Sequence, residues 1–346
     1  MEGELSDDGD RRPLVWALTT GRVGDDAQVM LAANAVVGIV RQVNLKFNRL
    51  RKIPNRFMGA TMRAVKNTPD LSGPWPDLVV GAGCRTVPPA LWIRKQSGGS
   101  ARLLRIGRPR APLHWFDLVL TTPQYGLPSA DNVMVISLPF AETPDHEAGV
   151  GGSVFAVLGG DSRTSRVTPE FAIQFGRKAM QMATEMGANL RICTSPRTPA
   201  RAAAALVKML PDGVETHIWR PDQPGPYRDW LNTAQACLTS GDSVSNISDA
   251  ILTGRSATVL IPPAVGWLAA VEHIGGVALK HRILKNGNRS FLAPPPDTGA
   301  LISHMLDIGW ALRSDENAVT FEGSAEKLRL EHNRAICRIM SLARGC

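Results

Sequence analysis

Short apolar runs alternate along this chain with longer stretches rich in alanine and polar residues. Leu14 to Thr20 (LVWALTT) is the first such run. It ends in a glycine-containing loop, Gly21 to Asp26, and the spacing predicts a helix over the alanine-rich stretch Ala27 to Val43. Strand, tight loop and helix form the opening unit of a doubly wound α/β domain. Pro76 to Gly83 (PDLVVGAG) repeats the pattern, with a helix expected from Pro88 to Gln96. Leu103 to Ile106, Phe116 to Leu120 and Val133 to Ile136 are further strand candidates. Runs this short between helical segments read as buried parallel strands.

Ala141 to Gly152 breaks the pattern with Pro, Asp, Glu and glycines and reads as a linker. The plan then restarts. Val154 to Leu158 runs into Gly159-Gly160-Asp161-Ser162-Arg163, and a helix follows from Pro169 to Met186, with the proline suited to its first turn. Asn189 to Thr194, Val214 to Trp219, Ala236 to Thr239 and Ala257 to Ile261 are expected strands. Thr198 to Leu210, Pro226 to Asn232 and Ser243 to Thr253 are expected helices. Two βα-repeating halves, opening at Leu14 and Val154, imply an α/β protein of two facing Rossmann-like domains. The last stretch, Ala325 to Leu342, carries an apolar stripe of Leu328, Ile336, Ile339 and Met340 and reads as a helix. His332 beside Glu331 reads as part of its solvated face. The expected division is residues 1–140, a linker over 141–152, a second domain over 153–315, and a C-terminal helix within 316–346 crossing back to the first.

Composition fits that plan. A chain of 346 residues suits two domains, and 44% hydrophobic with 20% charged residues excludes a disordered chain. No apolar stretch is long enough for a spanning helix. Met1 to Asp10 holds five acids and no apolar core, unlike a signal or transit peptide. Ala343 to Cys346 does not form a prenylation box. Cys84, Cys193, Cys237, Cys337 and Cys346 stand far apart, as reduced and mostly buried thiols of a cytoplasmic protein would.

Charge changes the picture more. The net +8 is uneven: residues 1–140 hold 18 Lys/Arg against 11 Asp/Glu, and residues 141–346 hold 21 against 20. Ala27 to Pro69 contains eight basic residues and no acid, and Leu78 to Phe116 is a second acid-free basic run. Such runs are either a solvated face or an attraction for an anionic partner such as lipid head groups or phosphorylated sugars. Nucleic acid is the weakest partner, because aromatics are 5% and no stacking or zinc-finger motif accompanies the charge.

Thr239 to Ala250 (TSGDSVSNISDA) carries the most chemistry. A strand ends in a small polar loop and a helix begins in Ser and Asp. Unpaired N–H groups at such a start bind phosphate, with hydroxyls of Ser243 and Ser245 beside them. Asp249, one turn beyond Ser245, suits the hydroxyls of a ribose. Simple N-capping by Asp242 or Ser243 explains the same residues. In LGGDSRT, Gly160 permits close backbone approach, while Ser162 and Arg163 could meet a diphosphate; a glycine turn with a surface arginine is the alternative. Cys193 to Pro199 (CTSPRTP) offers Ser195 and Arg197 at a third strand end. In the first half, Asp25 or Asp26 of TGRVGDDAQ could act as a general base, and Asp26 equally as a helix cap. GAGCRT offers Arg85, though this GxG lacks the rest of a dinucleotide fingerprint. No GxSxG, Walker A or histidine-pair metal motif occurs, so no metal site is expected.

These loops together resemble the bacterial relatives of the plant mitochondrial-fission (elongated-mitochondria) proteins, described as nucleotide-sugar glycosyltransferases of the two-Rossmann GT-B architecture. GDSVSNISDA at Gly241 to Ala250 is similar to that family's DSVSMxSEA, and TSPRTP at Thr194 to Pro199 to its TSRRTP. LVVGAGCRT, FDLVLTTP and LGGDS also fit. The family's first loop reads GHxxQ, where this chain has Gly24-Asp25-Asp26-Ala27-Gln28. Its glutamine in QxPR is Gly107 here, and its Glu of SEA is Asp249.

The resemblance implies a metal-independent transferase without a tightly bound cofactor. A nucleotide-diphosphate sugar would be held by Gly160, Ser162, Arg163, Ser195, Arg197, Asp242, Ser243, Ser245 and Asp249. Asp25 or Asp26 would be catalytic, with Gly24, Gln28 and Arg85 on the acceptor side. The acceptor would be membrane-associated or of lipopolysaccharide type, at an anionic inner-membrane surface where the protein is peripheral. The alternatives are a non-catalytic interaction protein on the same fold, as mitochondrial fission suggests, and a nucleotide-sugar epimerase.

Overall fold

A computed structural model describes residues 11–67, 71–141, 151–162, 164–265, 298–315 and 317–345. The chain divides into two compact units. The first comprises residues 1–121, 127–135 and 332–346, and the second residues 122–126 and 136–331.

The first unit is built on six parallel strands. β1 (Leu14–Thr19) leads into α1 (Val23–Asn34) and β2 (Ile39–Asn44). A short 3-10 turn at Arg49–Lys52 and the single-turn α2 (Asn55–Met58) precede β3 (Leu78–Ala82). α3 (Val87–Gln96), β4 (Arg102–Ile106), β5 (Leu118–Thr121) and β6 (Val133–Val135) complete it. The sheet order is β2-β1-β3-β4-β5-β6. The order reverses between β1 and β3, and ligands of open α/β sheets bind outside the carboxyl ends at such a point. Trp16, Leu18, Val79, Leu103 and Val119 pack on one face of the sheet, as the two-residue period of a strand requires.

The helix expected over Ala27 to Val43 stops at Asn34, and its second half is β2. Val36, Val37, Ile39 and Val40 are β-branched and favour a strand. Gly38 lets the backbone turn against Pro13, whose carbonyl accepts the Ile39 N–H at 2.8 Å. A Cβ at Gly38 would lie 3.2 Å from the Pro13 carbonyl carbon and closer still to its oxygen.

The second unit holds β7 (Ser153–Leu158), α4 (Pro169–Glu185), β8 (Asn189–Thr194), α5 (Ala200–Met209) and β9 (Glu215–His217). It continues with α6 (Tyr227–Thr233), β10 (Ala236–Ser240), α7 (Val244–Leu252) and β11 (Ser256–Leu260). Helix α8 (Thr298–Asp307) and the antiparallel strands β12 (Leu312–Asp315) and β13 (Ala318–Phe321) follow. The sheet order is β12-β13-β11-β10-β7-β8-β9, with the five central and outer βα strands parallel. Their order is the Rossmann order, and its reversal falls between β7 and β10. Phe155, Val157 and Cys237 enter the core on one face, and Val154, Ala156, Leu158 and Leu238 the core on the other. The two sheets therefore have the Rossmann-like, mostly parallel α/β character expected of both halves. The hairpin β12–β13 carries no strong pattern: all four residues of β12 are exposed.

The chain ends in α9 (Ser324–Arg344), whose residues from His332 onward group with the first unit. His332 is buried and Glu331 accepts the Ser137 N–H and hydroxyl at 2.6 and 3.0 Å, so neither is part of a solvated face. Leu328, His332, Ala335 and Ile339 recur at helical spacing and form the buried stripe. Four free thiols are described; Cys193 and Cys237 are buried, Cys84 is half-buried and Cys337 exposed, so burial is less general than expected. Cys346, Arg163 and most of the expected linker, residues 142–150, lie outside the described residues.

Candidate functional site

Three loops of the second unit meet beyond the carboxyl ends of β7, β8 and β10, at the point where strand order reverses. Asp242 ties them together. Its side chain is fully buried and accepts the Gly160 N–H at 2.9 Å, the Ser240 hydroxyl at 2.6 Å and Arg197 Nη2 at 3.0 Å. Burial pushes the Asp242 carboxyl above its ordinary range; Ser240, the Gly160 amide and Arg197 pull the other way. Ser240 Oγ also accepts the Gly159 N–H at 2.7 Å. Two glycines make this crossing possible. A Cβ on Gly159 would lie 2.6 Å from the Asp242 carboxyl carbon, and one on Gly160 2.5 Å from the Thr198 nitrogen.

The β8 end is held by Thr198. Its hydroxyl accepts the Ser195 N–H at 2.9 Å and donates to the Leu158 and Gly159 carbonyls at 3.0 and 2.6 Å. Ser195 Oγ lies 3.1 Å from Thr198 Oγ1 and accepts the Arg197 N–H at 3.2 Å. Arg197, with 44% of its side chain exposed, also donates from Nη1 to the Asp161 carbonyl at 3.2 Å. Ser162 stays within its own loop, accepting the Thr164 and Ser165 amides at 3.1 and 3.0 Å.

Helix α7 begins directly after this knot. Ser243 is its N-cap, and its hydroxyl makes no capping bond to the first turn. Asp242 precedes the N-cap, and its carboxylate is turned to Gly160, Ser240 and Arg197. The first N–H groups of α7 have no partner inside the helix. Ser245 is exposed there. Asp249 is buried and faces α6, where Tyr227 donates its hydroxyl at 2.9 Å and Arg228 Nη1 lies at 3.4 Å. Burial, then the Asp249 charge, drives the Tyr227 hydroxyl well above its usual range, so it donates throughout the physiological range.

The structure thus brings Gly160, Ser195, Arg197 and Asp242 into one knot beside Ser243 and Ser245, and places Asp249 one turn away against α6. Thr198, Ser240, Tyr227 and Arg228 were not singled out from the sequence. Thr198 and Ser240 stand inside or beside the quoted motifs; Tyr227 and Arg228 had no signal of their own.

In the first unit, Asp26 accepts the Thr20 and Gly21 N–H groups at 2.9 and 2.7 Å and so holds the loop after β1. Asp25 pairs with Arg22 at 3.3 Å and keeps 35% of its side chain exposed. Gly24 is exposed, and its carbonyl accepts Gln28 Nε2 at 3.2 Å. Arg85 is half-buried in the loop after β3; burial, then the charges of Arg22 and Arg51, lowers its pKa. Among the described residues no group of three or more His, Cys, Asp or Glu could hold a metal ion. No described helix is long and apolar enough to cross a membrane.

Comparison with known proteins gives a family, two relatives and two solved structures. Residues 32–270 match the family described as mitochondrial fission ELM1. The mitochondrial fission protein ELM1 of Arabidopsis thaliana is 25% identical over 285 residues, covering 69% of this chain and 66% of that protein. An uncharacterised protein of Rickettsia prowazekii is 20% identical over 298 residues, covering 72% of this chain and 83% of its own. Among solved structures, a UDP-GlcNAc 2-epimerase from Methanocaldococcus jannaschii has a TM-score of 0.43 at 12% identity, over 86% of this chain and 100% of that one. Acinetobacter baumannii MurG has a TM-score of 0.43 at 12% identity, over 96% and 95%.

Proposed function

Because the chain belongs to the mitochondrial fission ELM1 family, we propose that it binds a nucleotide-diphosphate sugar in its second unit and transfers the sugar to a membrane-associated or lipopolysaccharide-type acceptor. The observation that carries this reading is the Asp242 knot, which fixes three loops at the reversal point and leaves the α7 start, Ser243 and half-exposed Arg197 beside it. Helix N-terminal amides and a guanidinium are the donors a diphosphate needs. Asp249 would take the ribose hydroxyls, which would displace the long Arg228 bond and keep that of Tyr227.

In the transfer, an acceptor hydroxyl oxygen attacks the anomeric carbon as its bond to the diphosphate breaks. The diphosphate leaves with the electron pair, and its growing charge falls on Arg197 and the α7 amides, preorganised for it without a metal. Asp25 takes the acceptor proton; Asp26 is committed to the Thr20 and Gly21 amides. Support for a membrane-borne acceptor comes from the segment at residues 49–58. Leu50, Ile53 and Phe57 are 41%, 41% and 64% exposed there, between Arg49, Arg51, Lys52 and Arg56. Basic residues contribute about 1 kcal/mol each near an anionic bilayer, and apolar side chains add to that when they enter the interface.

The test is incubation of the chain with labelled nucleotide sugars and a bacterial lipid extract, with and without EDTA. Label entering the lipid fraction with release of an equal amount of nucleoside diphosphate, unchanged by EDTA, is the expected result. An isomerised sugar without transfer would replace this reading by an epimerase. One observation favours a non-catalytic interaction protein instead: Asp25, the candidate base, is already paired with Arg22. That reading requires vesicle binding without nucleotide binding.

A further inference from the structure

Arg105 is the least expected residue of the first unit. It lies on β4, opposite Gly81 of β3, and is 1% exposed. Its Nη1 donates to Thr86 Oγ1 at 2.6 Å, while its Nε and Nη2 are buried without a hydrogen-bond partner. Gly81 makes room for it: a Cβ there would stand 2.8 Å from Nη1. A buried charged donor left unpaired is costly, and such groups in native structures call for a missing partner.

The surroundings indicate which partner. The guanidinium lies under the loop Gly83–Thr86, next to the point where strand order reverses between β1 and β3. Gly83 has a left-handed backbone (φ 65°), and Asp25 Oδ2 stands 3.6 Å from where its Cβ would be. Arg22 reaches the same place through its 3.3 Å bond to Asp25. Asn55 of α2 fixes the mouth, donating to the Cys84 and Pro109 carbonyls at 2.8 and 2.9 Å. Arg51, on the 3-10 turn just before α2, is near enough for its charge to act on Arg85, and Asp25 for its charge to act on Arg105. Three guanidiniums, Arg22, Arg85 and Arg105, thus share one carboxylate, Asp25, and Arg51 adds a fourth positive charge beside Arg85. Pro88 and Pro89 remove two backbone donors from the start of α3, so the binding capacity is that of the side chains.

We propose that the first unit holds a binding site for a phosphoryl group, formed by Arg85 and Arg22 at the mouth and Arg105 beneath. Guanidinium forks match phosphate oxygens bidentately. As the phosphate of an acceptor this site rests on the transferase reading; as an anion site it stands alone. A soluble phosphate ester and a phospholipid head group share the chemistry.

The experiment is labelling of arginines in the full chain by phenylglyoxal, mapped by peptide mass spectrometry. It is run with glycerol 3-phosphate, with phosphatidic acid vesicles, and with phosphatidylcholine vesicles as the control. Protection of Arg85 by the soluble ester, by the phosphatidic acid vesicles or by both is expected, and names the source. Protection by neither, or equally by phosphatidylcholine, overturns the site. Calorimetry adds a second readout: Arg85→Gln should weaken binding of the protecting ligand about tenfold or more, and unchanged affinity overturns the proposal. Arg105→Met should do the same; Arg85→Gln stands as the test if that variant does not fold. Nucleotide binding, measured in parallel on the unmodified chain, separates the two readings. Phosphate binding without nucleotide binding sinks the transferase, and the reverse sinks this site.

Discussion

Replacing Gly160 by alanine tests whether the three loops are as tightly crossed as the structure shows. The new Cβ would lie 2.5 Å from the Thr198 nitrogen and closer to the Arg197 carbonyl. Ordinary carbon contacts begin about 1 Å further out. Both obstacles are backbone, so relief requires the β8–α5 loop to move about 1 Å rather than a side chain to rotate. Thr198 bonds to Leu158 and Gly159 would stretch, as would the Arg197–Asp242 pair. Overpacking of this kind costs about 1–3 kcal/mol, which in a domain this size lowers Tm by roughly 2–12 °C. A loop displaced by ~1 Å would also cost about a hundredfold in transfer rate. Gly241→Ala is the matched control, because its Cβ would meet Val259 at 3.4 Å and Pro262 at 3.5 Å, ordinary contacts. The assay is thermal denaturation followed by circular dichroism for both variants. Equal Tm values for Gly160→Ala and Gly241→Ala would refute the reasoning.

Three other outcomes follow from the same geometry. Asp26→Ala should cost the first unit about 1 kcal/mol and speed hydrogen exchange at Thr20 and Gly21, whose amides Asp26 holds; unchanged exchange contradicts that role. The Asp242 carboxyl is held above its ordinary range by burial, so the folded chain keeps that proton more tightly than the unfolded one and loses stability as pH rises past the usual carboxylate value. Asp242→Asn carries no such proton, so urea midpoints from about pH 4 to about pH 7 should favour the variant increasingly over the parent, and a constant difference would refute the sign. Replacing Leu50, Ile53 and Phe57 together by serine should abolish co-sedimentation with anionic vesicles and leave the far-ultraviolet spectrum intact; retained binding would remove the segment from membrane contact.

Most of the strand plan was legible because buried parallel strands are short apolar runs between glycine loops, and Asn189 to Thr194 coincides with β8. β2 was not, because Ile39, Val40 and Val43 continue the apolar run that α1 begins and only Gly38 marks the break. β12 was not, because an exposed edge strand such as Leu312–Asp315 has no buried face to impose a period. Residue identity located the site but not its wiring. Asp242 and Arg197 look like ligand contacts in sequence, whereas each is first a bond to the other across loops 45 residues apart. Arg105 carries a signal of its own: a charge inside the run RLLRI points to burial with a purpose. Tyr227 reaches Asp249 only because α6 packs beside α7, a tertiary fact with no local pattern.

The most direct test is calorimetric titration of the chain, and of Asp249→Asn, with nucleoside diphosphates and nucleotide sugars carrying uracil, guanine, cytosine or thymine. At ~100 times its dissociation constant a ligand adds about 2.7 kcal/mol of stability, so thermal shift gives an independent readout. The account predicts that one base is selected, that the sugar nucleotide binds the parent chain, and that Asp249→Asn weakens it while melting normally. Absence of binding by every nucleotide to a folded, monodisperse chain would contradict the account and leave the interaction-protein reading in its place.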